Sequence, residues 1–199
     1  LNGRGRHGNK WKSVKGQSLT FSFLITPNFK LEKIGTLSLI TSVAIVESIK
    51  KISGLNCKLK WPNDMIINGK KVGGVLAESK QDYEKIYVVM GVGINVNEIE
   101  MQSDIASFAT SLKLETNKEI SRELLLASIL NIFESIYYNS SNWIDKWNSN
   151  CGHLNSKIKF HSDNKVINGV FKKINEKGQA IIDINGNIKK ISSGTIEVI

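Results

Sequence analysis

The feature of this sequence that most restricts its fold is a change of hydrophobic pattern near residue 153. Before that point, strand-like segments alternate with long amphipathic helical segments; after it, only short strand-like segments remain, separated by turn residues. Closely spaced short strands are typical of a small β-barrel, and the mixed pattern ahead of them is typical of an α+β domain. The 199 residues therefore predict two domains, residues 1–153 and residues 154–199.

The individual elements follow from residue spacing. Residues 17–26 alternate apolar and polar side chains, as a half-buried strand does, whereas 35–53 and 121–138 carry apolar residues at helical spacing. Asn68-Gly69 predicts a tight hairpin, and Asp163-Asn164 predicts one of the later turns. The predicted strands are 17–26, 58–61, 65–67, 71–78 and 86–96 in the first domain, and 157–161, 166–171, 180–184, 188–191 and 195–198 in the second.

Composition excludes several classes of protein. The longest apolar run, 86–92, is too short to span a bilayer, and residues 1–16 lack the apolar segment of a secretory signal. Cys57 and Cys151 are too few for a disulfide framework or a Cys-rich metal site, so we expect two reduced thiols in a cytoplasmic protein. The net charge of +9 points to an acidic partner. Because the chain begins at Leu1, inside what looks like a motif, we expect an N-terminally truncated protein.

The first motif is Gly3-Arg4-Gly5-Arg6-His7-Gly8. It matches the G-x-G-x-x-G pattern, but no predicted helix follows it, which excludes a Rossmann dinucleotide site, and the later motifs of a protein kinase are missing. Only three of the 27 basic residues are Arg, and two of these are Arg4 and Arg6. This usage favours a loop that brings forked guanidinium groups and backbone N–H groups onto an anion. The alternative is a basic surface turn.

Three further segments carry candidate site residues, and each has a structural alternative. Lys60 and Asp64 flank Trp61-Pro62-Asn63, where they suit a phosphate contact and a Mg²⁺ ligand, or else a solvated Lys and an Asx-turn. Lys71-Val72-Gly73-Gly74-Val75-Leu76 and Gly91-Val92-Gly93-Ile94-Asn95-Val96-Asn97 place glycines inside strands, which marks either the close approach of a ligand or a bulge. The histidines lie in polar segments without metal-ligand spacing, so we expect surface residues; they are His7, His153 and His161.

In this order and spacing, the four segments resemble the catalytic domain of biotin protein ligases, over about residues 2–114. Residues 155–199 resemble the small Src-homology-3-type barrel that ends the bacterial enzymes. The resemblance implies an α+β fold with a mixed β-sheet packed with helices, like class II synthetases. It also implies that the protein activates biotin with ATP to biotinyl-5′-AMP. The biotin would then pass to one lysine of a biotin carboxyl carrier protein of acetyl-CoA carboxylase or a related carboxylase.

The resemblance also implies residue roles. Lys71 matches the lysine that holds the biotin carboxylate and the reacting phosphate oxygens, and Arg6 is the second implied catalytic residue. Lys60 and Asn95 are the implied ATP contacts, and Asp64 is the carboxylate on the Mg²⁺ side. Segment 97–110 would fold over the adenine. The implied biotin-binding residues are Arg4, Gly5, Arg6, Lys71, Gly74, Leu76, Gly91 and Gly93.

Departures from the family pattern leave alternatives open. The family has a strand and helix, with a Ser-Thr-Asn stretch, before the glycine–arginine loop; this chain has neither, so an inactive fragment is one alternative. A lipoate–protein ligase, which shares the fold and the adenylate chemistry, is a second. A basic nucleic-acid-binding module is a third, although the barrel strands show no row of aromatics for base stacking. We expect no membrane partner and no DNA-binding domain in this chain, and a homodimer stays open.

Overall fold

The computed structural model describes residues 3–27, 34–139, 142–162 and 165–199. The predicted turn at Asp163-Asn164 lies outside these residues. The described part contains two five-stranded antiparallel sheets and a separate two-stranded ribbon. The α+β class predicted from the hydrophobic pattern is confirmed.

The first sheet has the strand order β3-β7-β6-β5-β4. Its strands are β3 (Leu19–Ile25), β4 (Lys58–Lys60), β5 (Asp64–Ile67), β6 (Lys70–Asp82) and β7 (Lys85–Ile94). Asn68 and Gly69, both at positive φ (49° and 79°), turn the chain from β5 into β6, as the hairpin signal predicts. The long β6–β7 hairpin then sets Gly74 opposite Gly93 and Leu76 opposite Gly91, so three glycines fall on one patch of the sheet.

Helices cover the opposite face of this sheet. Helix α1 (Ile34–Ser53) is buried along most of its 20 residues because it is packed between the sheet and α3 (Arg122–Asn139). The residues that α3 buries recur at helical spacing; they are Leu125, Ile129, Phe133 and Ile136. This two-layer arrangement leaves the glycine-bearing face of the sheet free for another element.

That other element is a small ribbon, which the sequence pattern did not predict. Strand β1 (Gly3–Arg4) pairs with β2 (Lys10–Trp11), and a 3₁₀ turn at Arg6–Gly8 joins them. The two short helices α2 (Leu112–Thr116) and α4 (Trp143–Asn150) were also not predicted. None of the described helices is long and apolar enough to cross a membrane.

The second sheet contains the five predicted short strands, in the order β11-β10-β9-β8-β12. They are β8 (Lys157–Ser162), β9 (Lys165–Ile174), β10 (Ala180–Ile184), β11 (Asn187–Ile191) and β12 (Thr195–Val198). Its buried side chains include Ile158, Phe160, Phe171, Ile182 and Ile196. Closure of this sheet into a barrel and the domain division at residue 153 stay predictions.

The junction of the two sheets corrects one expectation. The backbone of Cys151 forms a β-bridge with Leu59 of β4. This bridge brings His153, two residues later, into the junction. His153 is only 1% exposed, so the prediction of a surface residue is wrong here. His153 packs its ring 4.3 Å from that of Phe171. This burial lowers the pKa of His153 to about 4, and the charge of Lys60 acts in the same direction. Both cysteines are free thiols, as expected.

Candidate active site

A cavity of about 380 Å³ lies between the ribbon and the glycine-bearing face of the first sheet. We call it the reaction cavity. All eight predicted biotin-binding residues lie on its wall, together with Asp64. The predicted residues that line it are Arg4, Gly5, Arg6, Asp64, Lys71, Gly74, Leu76, Gly91 and Gly93. Segments far apart in the sequence therefore meet at one site.

The floor of the reaction cavity is made of Gly74, Gly91 and Gly93, which we call the glycine floor. A Cβ atom at Gly93 would lie 2.4 Å from Cε2 of Trp11 in the ribbon. The absence of a side chain at this position therefore lets the indole lie directly on the sheet backbone. Of the two readings of the strand glycines, close approach of another group is the one that the geometry supports at Gly93.

Lys71 lies at the edge of the glycine floor. Its Nζ is 2.6 Å from Oδ1 of Asp64 and 3.5 Å from the position that a Cβ atom on Gly74 would occupy. The same ammonium group lies 6.0 Å from the centre of the Trp11 ring. The ion pair with Asp64 fixes the Lys71 charge in place. Because the Lys71 side chain is still about one-third exposed (36%), this charge also faces the cavity.

The two arginines of the ribbon are held differently. Arg6 Nη1 donates to Oδ1 of Asn63 and to the carbonyl oxygen of Gly194, each at 3.3 Å. Burial lowers the pKa of Arg6, and the nearby Asp64 carboxylate partly offsets that effect. Arg4 is largely exposed and forms an ion pair with Glu78 at 3.0 Å. The geometry therefore makes Arg6 the more restrained of the two guanidinium groups.

A second cavity of about 460 Å³, which we call the side cavity, adjoins the first. Lys71 and Trp11 line both cavities, and Asn95, Ile105 and Phe108 line the side cavity only. The loop that carries Phe108 is tied to the start of β6, because Lys71 donates its N–H to the Phe108 carbonyl at 2.8 Å. Two anions that occupied the two cavities would therefore meet at Lys71.

Asn95 is placed by the backbone around it. It is 4% exposed, its N–H donates to the Val72 carbonyl at 2.8 Å, and its side-chain Nδ2 donates to the Thr110 carbonyl at 2.9 Å. The Asn95 amide thus already holds the end of the 97–110 segment. Lys12 and Asp104 form an ion pair from the ribbon to the same segment, and this contact lowers the pKa of Asp104.

Lys60 is the one predicted site residue that the structure does not bring to the others. It lines neither the reaction cavity nor the side cavity. Its charge instead acts on His153 at the junction of the two sheets. Its role as an ATP contact stays a prediction.

Trp11, Asn63 and Thr195 are among the residues of the reaction cavity that were missed from the sequence. Asn63 stands inside the Lys60–Asp64 segment and Trp11 follows the first motif by three residues, so closeness to a motif is the signal that would have found them, whereas nothing in the sequence marks Thr195. The indole Nε1 of Trp11 is buried with no hydrogen-bond partner among the described residues. Asn63 accepts from Arg6 and donates to the Val75 carbonyl at 2.7 Å, so it ties the ribbon to the sheet.

The charges around the reaction cavity suit a pair of anions. Its described wall carries Arg4, Arg6, Lys10 and Lys71 against Asp64 and Glu78. Fixed cations at the meeting point of two cavities hold two mutually repelling acids together and stabilise charge that develops between them. In the described parts of the chain, no three His, Cys, Asp or Glu side chains converge in a way that would hold a metal ion.

The chain is similar to known proteins over most of its length. Residues 1–95 match the Biotin/lipoate A/B protein ligase family. The chain is 31% identical over 204 residues to the Bifunctional ligase/repressor BirA of Bacillus subtilis, covering 98% of this chain and 63% of that relative. It is 26% identical to the Biotin--[acetyl-CoA-carboxylase] ligase of Mycobacterium tuberculosis, covering 98% of this chain and 74% of the relative.

The chain is also similar in fold to a solved structure. The structure of the biotin protein ligase from Aquifex aeolicus in complex with biotin and ATP has a TM-score of 0.85 and 32% sequence identity to this chain. The match covers 98% of this chain and 84% of that one. The chain spans 63% of the length of the Bacillus relative.

Proposed function

Because the chain belongs to the biotin protein ligase family, we propose that it activates biotin with ATP and transfers the biotin to a lysine of a biotin carboxyl carrier protein. The observation that carries the proposal is the position of Lys71, whose side chain lines the reaction cavity and the side cavity at once. Biotin would occupy the reaction cavity, and the nucleotide would occupy the side cavity.

In the first step, a biotin carboxylate oxygen attacks the α-phosphorus of ATP. A bond forms between that oxygen and phosphorus, the bond to the β-phosphate oxygen breaks, and pyrophosphate leaves. The two reactants repel each other, and the Lys71 ammonium and the Arg6 guanidinium offset that repulsion. Both cations lie on the wall of the same cavity and are held by hydrogen bonds before any substrate arrives, which limits the reorganisation needed in the transition state.

The remaining biotin contacts follow from the floor and the ribbon. Gly74, Gly91 and Gly93 allow a flat ring system to lie against the sheet backbone, and Leu76 supplies an apolar wall. Arg4 and Gly5, on the ribbon, would cover the bound molecule. The ribbon touches the sheet mainly through side chains, so it would move to admit biotin.

The nucleotide contacts are supported by the second cavity. Asn95, Ile105 and Phe108 would face the adenine and ribose, with Phe108 as the aromatic surface for the base. The 97–110 segment is held at Phe108 and Thr110 by backbone hydrogen bonds to Lys71, so this segment and the catalytic lysine hold each other in place.

A Mg²⁺ ion that accompanies ATP would fit beside Asp64. Mg²⁺ is commonly held by one or two protein carboxylates together with substrate phosphates and water, and Asp64 is a carboxylate on the wall of the reaction cavity next to Lys71. When bound, the ion would neutralise phosphate charge. Asp64 would have to divide its oxygens between the ion and Lys71.

In the second step, the carrier lysine's amine attacks the acyl carbon of biotinyl-AMP. An amide C–N bond forms, the bond from carbon to the phosphate oxygen breaks, and AMP leaves with the electron pair. A cytoplasmic location fits this chemistry and the two free thiols. A homodimer stays a prediction.

Biotin-dependent exchange of labelled pyrophosphate into ATP tests the first step. We expect exchange with biotin and at least tenfold less with lipoate. The assay should use the chain described here and the longest in-frame chain that contains it. Failure of both to exchange label with either acid would refute the proposal, and a preference for lipoate would transfer the assignment to lipoate–protein ligase.

A further inference from the structure

The two walls of the side cavity come from segments that are far apart in the sequence. The ribbon side supplies one wall, with Trp11 and Lys12, and the 97–110 segment supplies the other, with Ile105 and Phe108. An ion pair between Lys12 and Asp104 joins the two walls. Because both partners of this pair are well exposed, it is a weak link.

A buried contact joins the same two segments at their other end. The chain returns from the ribbon to β3 through a turn in which the Val14 N–H donates to Oγ of Ser18 at 2.8 Å. The Ser18 hydroxyl in turn donates to Oε1 of Glu98, near the start of the 97–110 segment. Ser18 is 7% exposed and Glu98 is 2% exposed. We call this pair of residues the pin.

The pin also closes the 97–110 segment on itself. The Glu98 carbonyl accepts a hydrogen bond from Oγ of the fully buried Ser111 at 2.6 Å. The same Ser111 oxygen caps α2 by accepting from the Leu114 N–H at 3.1 Å. The residues between Glu98 and Ser111 therefore form a loop whose two ends meet at the pin.

The body of the molecule holds the pin in place. Arg122, the third arginine of the chain and the first residue of α3, donates from Nη1 to the Ser18 carbonyl at 3.2 Å. The Asn97 N–H donates to the Gln17 carbonyl at 3.1 Å, and the Asn97 side chain exchanges two hydrogen bonds of 2.9 Å with the backbone of Ile120. Both halves of the pin are thus tied to the segment that begins α3.

The second carboxylate oxygen of Glu98 shows that packing alone does not account for this residue. Oε2 is buried and has no hydrogen-bond partner among the described residues. A buried acceptor without a partner lowers stability, and an apolar side chain of similar volume would avoid that loss. What the carboxylate supplies is a strong acceptor for the Ser18 hydroxyl, so the contact with Ser18 is the property that an acid at this position provides.

We propose that Glu98 is a positioning residue that sets the width of the side cavity and thereby the affinity for the nucleotide. The proposal rests on the proposed function, which places ATP in this cavity. Glu98 lines neither cavity, so it acts through the two walls that it joins. Loss of the pin would free these walls but leave the glycine floor in place, because strand pairing holds the floor.

Nucleotide and biotin affinities, measured separately, test this role. We expect Glu98→Ala to weaken binding of α,β-methylene-ATP in calorimetry and to raise KM for ATP in pyrophosphate exchange, each at least tenfold. The Kd for biotin should change no more than threefold. Glu98→Gln keeps an acceptor oxygen for Ser18, so its nucleotide affinity should stay within threefold. Glu100→Ala is the control, since Glu100 is an exposed carboxylate on the same segment and lines neither cavity.

A double-mutant cycle tests the contact itself. We expect Ser18→Ala to weaken nucleotide binding about as much as Glu98→Ala does. The double variant should be no weaker than either single variant, because all three lose the same contact. Ser13→Ala is the matched control, since Ser13 is exposed and lies just before the turn. Additive losses would overturn the proposal, because the two side chains would then act independently.

The outcomes separate the two proposals. If the unmodified chain performs no exchange, the proposed function fails, and calorimetry with α,β-methylene-ATP still decides the role of Glu98. If exchange occurs and Glu98→Ala binds the nucleotide normally, only the positioning role is wrong. Equal losses of biotin and nucleotide affinity would also overturn it, because the pin would then support the whole fold. If circular dichroism shows that Glu98→Ala does not fold, the comparison of Ser18→Ala with Ser13→Ala decides.

Discussion

The floor and the cover of the reaction cavity are built by opposite means. The glycine floor belongs to β6 and β7, two long strands that are paired at ten consecutive positions. Gly74 and Gly93 are directly opposite each other in this pairing. The ribbon above it has two strands of two residues each, and side chains attach it to the rest of the molecule. A floor fixed by backbone pairing gives shape, whereas a cover fixed by a few polar contacts can open and close.

This difference explains where the charged groups lie. Lys71 extends from the start of β6, so its backbone is as fixed as the floor. Arg4 and Arg6 belong to the cover, and their positions depend on the partners Glu78, Asn63 and Gly194. We therefore expect substitutions in the floor to cost more activity than substitutions in the cover.

The largest effect should come from Lys71→Ala. It removes a cation that lines both cavities and breaks the ion pair with Asp64, so we expect pyrophosphate exchange to fall roughly 10²- to 10³-fold. Lys70→Ala is the matched control, since Lys70 is an exposed neighbour that lines neither cavity. Equal losses from both variants would show that the Lys71 charge has no special role.

A methyl group on the floor should have the next largest effect. Gly93→Ala places a Cβ atom 2.4 Å from the Trp11 ring, so the ribbon must lift away. A shift of about 1 Å at a reaction centre costs roughly 10²-fold in rate, and we expect exchange to fall by about 10- to 100-fold. Gly35→Ala is the control, because a Cβ atom there would meet no other atom within 4 Å and Gly35 lines neither the reaction cavity nor the side cavity. Exchange kinetics and Trp fluorescence report the rate and the ribbon position.

Acid should destabilise the junction of the two sheets, where His153 is buried, before it breaks the ion pair between Lys12 and Asp104. The folded pKa of His153 is about 4 against an ordinary value of 6.5, so the unfolded chain binds more protons between these values and stability falls as pH drops through that window. From pH 7 to pH 5 the loss attributable to His153 is about 2 kcal/mol. The pKa of Asp104, in the cover's ion pair, is lowered from an already acidic value, so that contact persists through this range.

Denaturant unfolding at pH 5 and pH 7 measures this loss. His153→Phe should remove most of the pH dependence, because its ring would occupy the same aromatic site beside Phe171 and Trp147 without a titratable nitrogen. His161→Phe is the control, since His161 is partly exposed and pairs with Glu197 at 3.4 Å. An unchanged pH dependence in His153→Phe would contradict the assignment.

The smallest effect should come from the outer attachment of the cover. Glu78→Gln breaks the exposed pair with Arg4, and an exposed ion pair contributes at most about 1 kcal/mol. We expect a change of no more than about threefold in exchange and a faster release of bound biotin in stopped-flow measurements. Glu84→Gln, an exposed carboxylate in the β6–β7 turn, is the control. A loss as large as that of Gly93→Ala would mean that the cover is as rigid as the floor.

Much of the scaffold was predictable because its signals are local. The alternation in β3, the helical spacing in α1 and α3, the Asn68-Gly69 turn and the five late strands each occupy a short stretch of chain, and the structure has them within a few residues of the predicted bounds. The ribbon and α4 were not predictable in this way, because they are short and polar and depend on contacts with distant residues.

His153 shows why local polarity is not a guide to burial. Its neighbours in sequence are polar, but the bridge from Cys151 to Leu59 brings it between the two sheets, against Phe171. Lys60 shows the same limit for the site, since its place in a motif did not bring it to either cavity. The bridge between Leu59 and Cys151, some 90 residues apart, decided the position of His153.

The sequence by itself determined which residues could do the chemistry: a lysine ahead of paired glycines, two of only three arginines among 27 basic residues, and glycines on two strands that hydrophobic patterning predicts. Only the tertiary structure decided that Lys71 borders two cavities and that Asn63 and Gly194 hold Arg6. It also decided that Ser18 and Glu98 join the two segments that wall the side cavity. The reason is that strand and helix periodicity depends on neighbours in sequence, whereas a cavity exists only where surfaces from distant segments fail to fill the space between them.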